Sequence, residues 1–165
     1  MALHAAPFLA LVLMRKAART SRPSLDRQAA SEAVVRGVVA VIENRGCWLM
    51  IQRGPGVCRA GAWCFPGGAI EPGESPRDAL VREIHEELSI RVAPGRPVWN
   101  WTSDDSRLEL EWWTAGIIDG RIRPDADEVA DWRWVRPDDL HKLPDLLSNN
   151  LQFAAYAAAN GLCPD

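Results

Sequence analysis

The chain has 165 residues, 47% hydrophobic and 25% charged, with a formal net charge of −3. One domain suits that length, because domains run about 100–150 residues. The ordinary composition excludes low-complexity and collagen-like chains, the slightly acidic balance argues against a stable nucleic-acid partner, and no apolar run approaches the roughly 20 residues that cross a bilayer.

Residues 1–31 read as an N-terminal extension and 32–165 as the functional domain. Residues 5–14 form a short apolar run followed by Arg15, Lys16, Arg19 and Arg22, the reverse of a secretory signal, which places its positive charge first. An organellar transit segment, an over-extended start and a short amphipathic helix all fit this stretch; otherwise the expected location is cytoplasmic. Cys47, Cys58, Cys64 and Cys163 show no C-x-x-C spacing and no accompanying histidine cluster. They are expected to be reduced, mostly core residues rather than zinc ligands.

The β-branched run Val34, Val35, Val38, Val39, Val41 and Ile42 predicts a strand buried on both faces. Asn44-Arg45-Gly46 turns the chain into a second strand over 47–52. The stretch Phe65-Pro66-Gly67-Gly68 is too rich in glycine and proline for a regular strand interior, and its backbone is expected to approach another group closely. Ser75, Pro76 and Asp78 mark a helix start, with Leu80, Ile84 and Leu88 as its buried stripe. Extended segments follow over 98–102, 108–118 and 132–135, with Trp99 and Trp101 sharing one face. A short helical turn begins at Pro137, and a closing helix over 151–160 is stopped by Gly161. Hairpin-linked strands with late helices predict an α+β domain around a mixed central sheet.

The chemistry gathers in GAIEPGESPRDALVREIHEELSI, residues 68–90. Glu83, Glu86 and Glu87 fall at i, i+3 and i+4, so a helix stacks their carboxylates on one face. Such a ridge is either a solvated acidic surface or a cradle for a hard divalent ion, Mg²⁺ or Mn²⁺. Arg82 is placed to brace a carboxylate, and Gly67-Gly68 brings bare backbone close by.

These residues resemble the Nudix box, G-x5-E-x7-R-E-U-x-E-E-x-G-U, at Gly68, Glu74, Arg82, Glu83, Ile84, Glu86, Glu87 and Ile90. Trp63-Cys64-Phe65-Pro66-Gly67-Gly68 is similar to the W-x-F-P-G-G lead-in of many members. The box glycine near the helix end is Ser89, which costs roughly 1 kcal/mol if the position is left-handed. The resemblance implies an α/β/α sandwich over 34–160 and Mg²⁺-dependent cleavage of a diphosphate linkage in a nucleoside diphosphate derivative. A MutT-like action on a (deoxy)nucleoside triphosphate leads. An ADP-ribose or NADH pyrophosphatase and a non-catalytic nucleotide-binding module stand as alternatives, and an isopentenyl diphosphate isomerase using Cys64 is a remote third. By the same resemblance Glu83, Glu86, Glu87 and Arg82 are catalytic, with Glu83 favoured as general base. Gly68, Glu83, Glu86, Glu87 and Glu128 would hold metal, and Glu74 would support them. Arg53, Trp63, Asn149 and Asn150 are substrate-binding candidates, the asparagines equally plausible as helix caps. The oligomeric state is left between monomer and homodimer.

Overall fold

A computed structural model describes residues 34–164. The expectation for the N-terminal extension therefore falls outside the described residues. Strand β1 (Val35–Asn44) turns through Arg45 and Gly46 into β2 (Cys47–Arg53). Both turn residues have positive φ, 50° and 76°, the pattern of hairpin turns whose twist matches their strands. Short strands β3 (Trp63–Cys64) and β4 (Gly67–Ala69) then lead into helix α1 (Pro76–Leu88). Strands β5 (Arg91–Thr102), β6 (Leu108–Asp119) and β7 (Val129–Val135) follow, then a 3₁₀ turn (Pro137–Lys142) and helix α2 (Ser148–Ala159).

β1 is the hub of the seven-stranded mixed sheet. It pairs in parallel with β6, from Val35 opposite Leu108 to Ile42 opposite Ala115. On its other side it pairs antiparallel with β4, and at its end with β2, which in turn carries β3 and β7. Side-chain alternation on β1 sends Val38, Ala40 and Ile42 into a core with Leu80, Ile84 and Leu88 of α1. Val39 and Val41 enter a second core with Trp48, Phe65, Trp112 and, from α2, Phe153 and Ala157. The expected burial on both faces follows from this α/β/α layering. Leu80, Ile84 and Leu88 are each 0% exposed, and burial of such side chains contributes about 1.5–3 kcal/mol apiece.

The start of α1 is as the sequence predicts: the Ser75 side chain accepts from the Asp78 N–H, and Pro76 occupies the first turn. At its other end Ser89 takes the left-handed conformation, φ 56° and ψ 27°, with its N–H donating to the His85 carbonyl. Ser89 is exposed and carries the Cβ strain that glycine would avoid. Ser89→Gly is expected to stabilise the fold by about 1 kcal/mol, raising Tm by a few degrees in a thermal melt. An unchanged or lowered Tm would count against strain at this cap.

The structure departs from the sequence reading at several boundaries. β5 begins at Arg91 rather than 98, running through Pro94 and Pro97 with register shifts beside each. Prolines are tolerated there because β5 is the edge strand, where one row of N–H groups has no ladder partner. β7 likewise begins three residues before Trp132, and α2 begins at Ser148 rather than 151. Among the described residues no helix is long and apolar enough to cross a membrane, and none of the four cysteines is in a disulfide.

Candidate active site

Helix α1 lies across β4 with its acidic face toward Gly67 and Gly68. Glu83 and Glu87 are buried at 2% and 6% exposure, whereas the Glu86 side chain is 40% exposed. The i, i+3, i+4 spacing thus produces a ridge tilted into the protein, with two carboxylates inward and one at the rim. Burying a carboxylate is costly unless its charge is met. Arg82 meets part of it. Its Nε and Nη2 donate to the two Glu74 carboxylate oxygens at 2.8 and 2.7 Å, and Nη1 donates to Glu83 Oε1 at 2.7 Å. Nη2 also donates to the Ala69 carbonyl at 2.9 Å, and Nη1 reaches Glu86 at 3.4 Å. The bond to Arg82 holds the Glu74 carboxyl below its usual range, and the bond to Glu74 raises the Arg82 pKa further, so the guanidinium stays charged.

The lead-in strand clasps this ridge. The Gly67 N–H donates to Glu87 Oε2 at 3.0 Å. Gly67 has φ 146°, and a Cβ there would overlap the Val38 carbonyl oxygen. A Cβ on Gly68 would overlap the Glu83 carboxyl group. The close backbone approach expected of Phe65-Pro66-Gly67-Gly68 is therefore to β1 on one side and to the ridge on the other. Phe65 and Pro66 form the bend at which the chain leaves β3, paired with β2, for β4, paired with β1.

Glu128 lies in the loop before β7. That loop is pinned to the end of α1 by Asp125 N–H donating to the Glu87 carbonyl at 2.9 Å, and to the end of β2 by Gly54 N–H donating to the Glu128 carbonyl at 2.7 Å. It is thus tied to the same helix turn as Glu87, though sequence spacing gives no hint of that backbone bond.

The donors fit a hard divalent ion. They are carboxylate oxygens with a glycine carbonyl nearby, and no thiol or imidazole belongs to the ridge. Arg82 bonds three of the carboxylates, those of Glu74, Glu83 and Glu86. Among the described residues no three acidic, cysteine or histidine side chains yet converge as one cage. Glu83 is turned onto Arg82 and Glu87 onto the Gly67 N–H.

A cleft opens beside the lead-in strand, lined by Arg53, Phe65, Gly68, Leu110, Trp112 and Asn149 among others. Arg53 donates through Nε to the Cys58 carbonyl at 2.5 Å and also bonds the Cys64 thiol. Burial pushes that thiol up to about 11, against the opposing pull of Arg53, so at neutral pH it is protonated and poorly reactive. The isomerase alternative, which needs a reactive cysteine, finds no support in it. Trp63 is corrected from substrate-binding to core: it is 1% exposed, with Arg133 stacked 4.8 Å over its ring, and has no open face for a base. Asn149 and Asn150 are not helix caps, since Leu147 holds that position and both lie in the first turn of α2. Leu108, Leu110 and Trp112 also line the cleft; the sequence marks them as strand, and their period-two spacing is the signal that places them on one face.

A layered sandwich carrying this acidic helix is the build of a pyrophosphohydrolase, an enzyme acting on phosphoric anhydrides. The chain belongs to the NUDIX family, whose domain matches residues 32–156. Over 113 residues it is 34% identical to the CTP pyrophosphohydrolase of Escherichia coli (strain K12), covering 67% of this chain and 82% of that one. Over 117 residues it is 33% identical to the nucleoside triphosphatase NudI of Salmonella paratyphi B, covering 62% and 82%. The crystal structure of a MutT protein from Methanosarcina mazei Go1 shares the fold, with TM-score 0.69, 22% identity and coverage of 84% of this chain and 99% of that one. Family membership implies a nucleotide substrate and, as is typical of the family, dependence on a metal.

Proposed function

We propose that the protein is a Mg²⁺-dependent hydrolase of nucleoside triphosphates, releasing pyrophosphate and a nucleoside monophosphate. The observation that carries this reading is the buried ridge: Glu83 locked by Arg82 and Glu87 clasped by the Gly67 N–H, beside a cleft with Arg53 in its wall. Magnesium, with manganese as the alternative, neutralises a diphosphate and acidifies the attacking water when bound. Glu83, Glu86, Glu87, the Gly68 carbonyl and Glu128 are the groups that would hold it. Arg82 keeps the Glu83 carboxylate in one orientation, so that no reorganisation is needed when it accepts a proton from water as general base. Arg53 contributes positive charge where the substrate's phosphates enter. The intact set of box glutamates speaks against a binding-only module, and the relatives named for CTP and nucleoside triphosphates favour triphosphates over ADP-ribose or NADH.

The test is a nucleotide panel containing canonical dNTPs and NTPs, 8-oxo-dGTP, ADP-ribose and NADH, assayed with Mg²⁺ and with EDTA. Pyrophosphate release from a triphosphate, abolished by EDTA, is the expected result. Turnover of ADP-ribose or NADH alone would replace the triphosphate reading, and no turnover at all would reject it.

A further inference from the structure

The loop that carries Glu128 is a strap bonded through its backbone on two sides. Toward α1, the Arg123 and Asp125 N–H groups donate to the Leu88 and Glu87 carbonyls, each at 2.9 Å, and so satisfy the helix end. Toward β2, the Glu128 and Asp127 carbonyls accept from the Gly54 and Gly56 N–H groups, each at 2.7 Å. Between the two sides Asp125 closes a tight turn. Its carbonyl accepts from the Glu128 and Val129 N–H groups at 3.1 and 2.7 Å, and its side chain accepts from the Asp127 N–H at 2.9 Å. The turn therefore behaves as one piece, and what displaces Asp127 displaces Glu128.

Gly54 and Gly56 set how close that piece can lie. A Cβ on Gly54 would stand 2.6 Å from the Asp127 carbonyl oxygen and 2.8 Å from the Glu128 carbonyl carbon. A Cβ on Gly56 would stand 2.8 Å from the same Asp127 oxygen. These are backbone atoms, which cannot turn aside as the tip of a long side chain can. Neither glycine has a positive φ, so the need for glycine comes from the approach of the strap and not from the local turn.

We propose that Gly54 and Gly56 are positioning residues for metal binding: by admitting the strap to hydrogen-bond distance they place the Glu128 carboxylate for the ion held by the ridge of α1. This rests on the reading of the protein as a metal-dependent nucleoside triphosphatase with Glu128 among its ligands, and adds what fixes that ligand in place. A site keeps its geometry only while each group stays within about 0.5 Å of its place. Restoring either glycine contact to an ordinary 3.4 Å shifts the strap by more than that.

The test reads the metal without turnover. Wild type, Gly54→Ala, Gly56→Ala, Glu128→Gln and each glycine variant combined with Glu128→Gln are titrated with Mn²⁺. Free ion is followed by electron paramagnetic resonance, and melting curves confirm folding. Each glycine variant is expected to weaken Mn²⁺ binding at least fivefold, and Glu128→Gln by a similar factor. In the Glu128→Gln background the same alanines are expected to change Kd by less than twofold, because their route to the ion is already gone. Equal weakening in both backgrounds is the mark of a general loosening and overturns the proposal. Glycine variants within twofold of wild type, an unaffected Glu128→Gln, or a wild type that binds no Mn²⁺ overturn it as well. Gly54 is buried and Gly56 exposed, so if Gly54→Ala does not fold, Gly56→Ala decides alone. Triphosphate turnover is measured separately on the same samples. The expected Mn²⁺ pattern without turnover would reject the triphosphatase reading and leave the role of the two glycines standing.

Discussion

Glu83→Gln and Glu86→Gln are each expected to lower kcat/KM at least tenfold, a loss of about 1.4 kcal/mol or more of transition-state stabilisation. Glutamine keeps the shape of the side chain and an oxygen for Arg82, but removes the charge. At position 83 the substitution sits in a 2% exposed site where Arg82 Nη1 lies 2.7 Å away, so packing survives while the capacity to take a proton is lost. At position 86 the side chain is at the rim, and the loss falls on ion affinity. More Mg²⁺ should then restore part of the rate to Glu86→Gln and little to Glu83→Gln. Steady-state kinetics across a magnesium titration, with melting curves alongside, separates the two roles. Rates within twofold of wild type in both variants would remove the ridge from the chemistry.

Arg82→Lys is expected to cost about 2 kcal/mol of stability and at least tenfold in kcat/KM. The guanidinium spans Glu74, Glu83 and the Ala69 carbonyl at once, with a forked pair of bonds to Glu74. An ammonium is a point donor and cannot reach all three, so a charged, largely buried hydrogen bond is lost and is worth about 1.5–3 kcal/mol. Glu83 is the partner most exposed to that loss, since it is buried and depends on Arg82 for its orientation. Denaturant unfolding and kinetics together check the pair of effects. A variant destabilised but fully active would show that Arg82 serves the fold alone.

The elements most legible in the sequence are those whose signals are local. The Ser75-Pro76-Asp78 start, the Leu80, Ile84, Leu88 stripe and the β-branched run of β1 each rest on residues a few positions apart. The acidic face of α1 was legible for the same reason. What one helix cannot reveal is which carboxylates turn inward, because that depends on β4 lying against it. The first seven residues of β5 were hidden by Pro94 and Pro97, which mark a loop anywhere except on a sheet edge. Trp63 looked available for stacking because its position before the glycine pair says nothing of Arg133, seventy residues away in sequence. The first turn of α2 was missed since neither Asn149 nor Asn150 is a strong helix former; Asn150 is held there by the distant Phe65 N–H.

Because β1 runs alongside β6 in the same direction, its partner strand is synthesised only after the whole acidic helix has emerged. Contacts so distant along the chain are slow to form, since loop closure must be met before any pairing gain is realised. A nascent chain ending before Leu108 therefore lacks the strand that pairs with the hub from Val35 to Ile42.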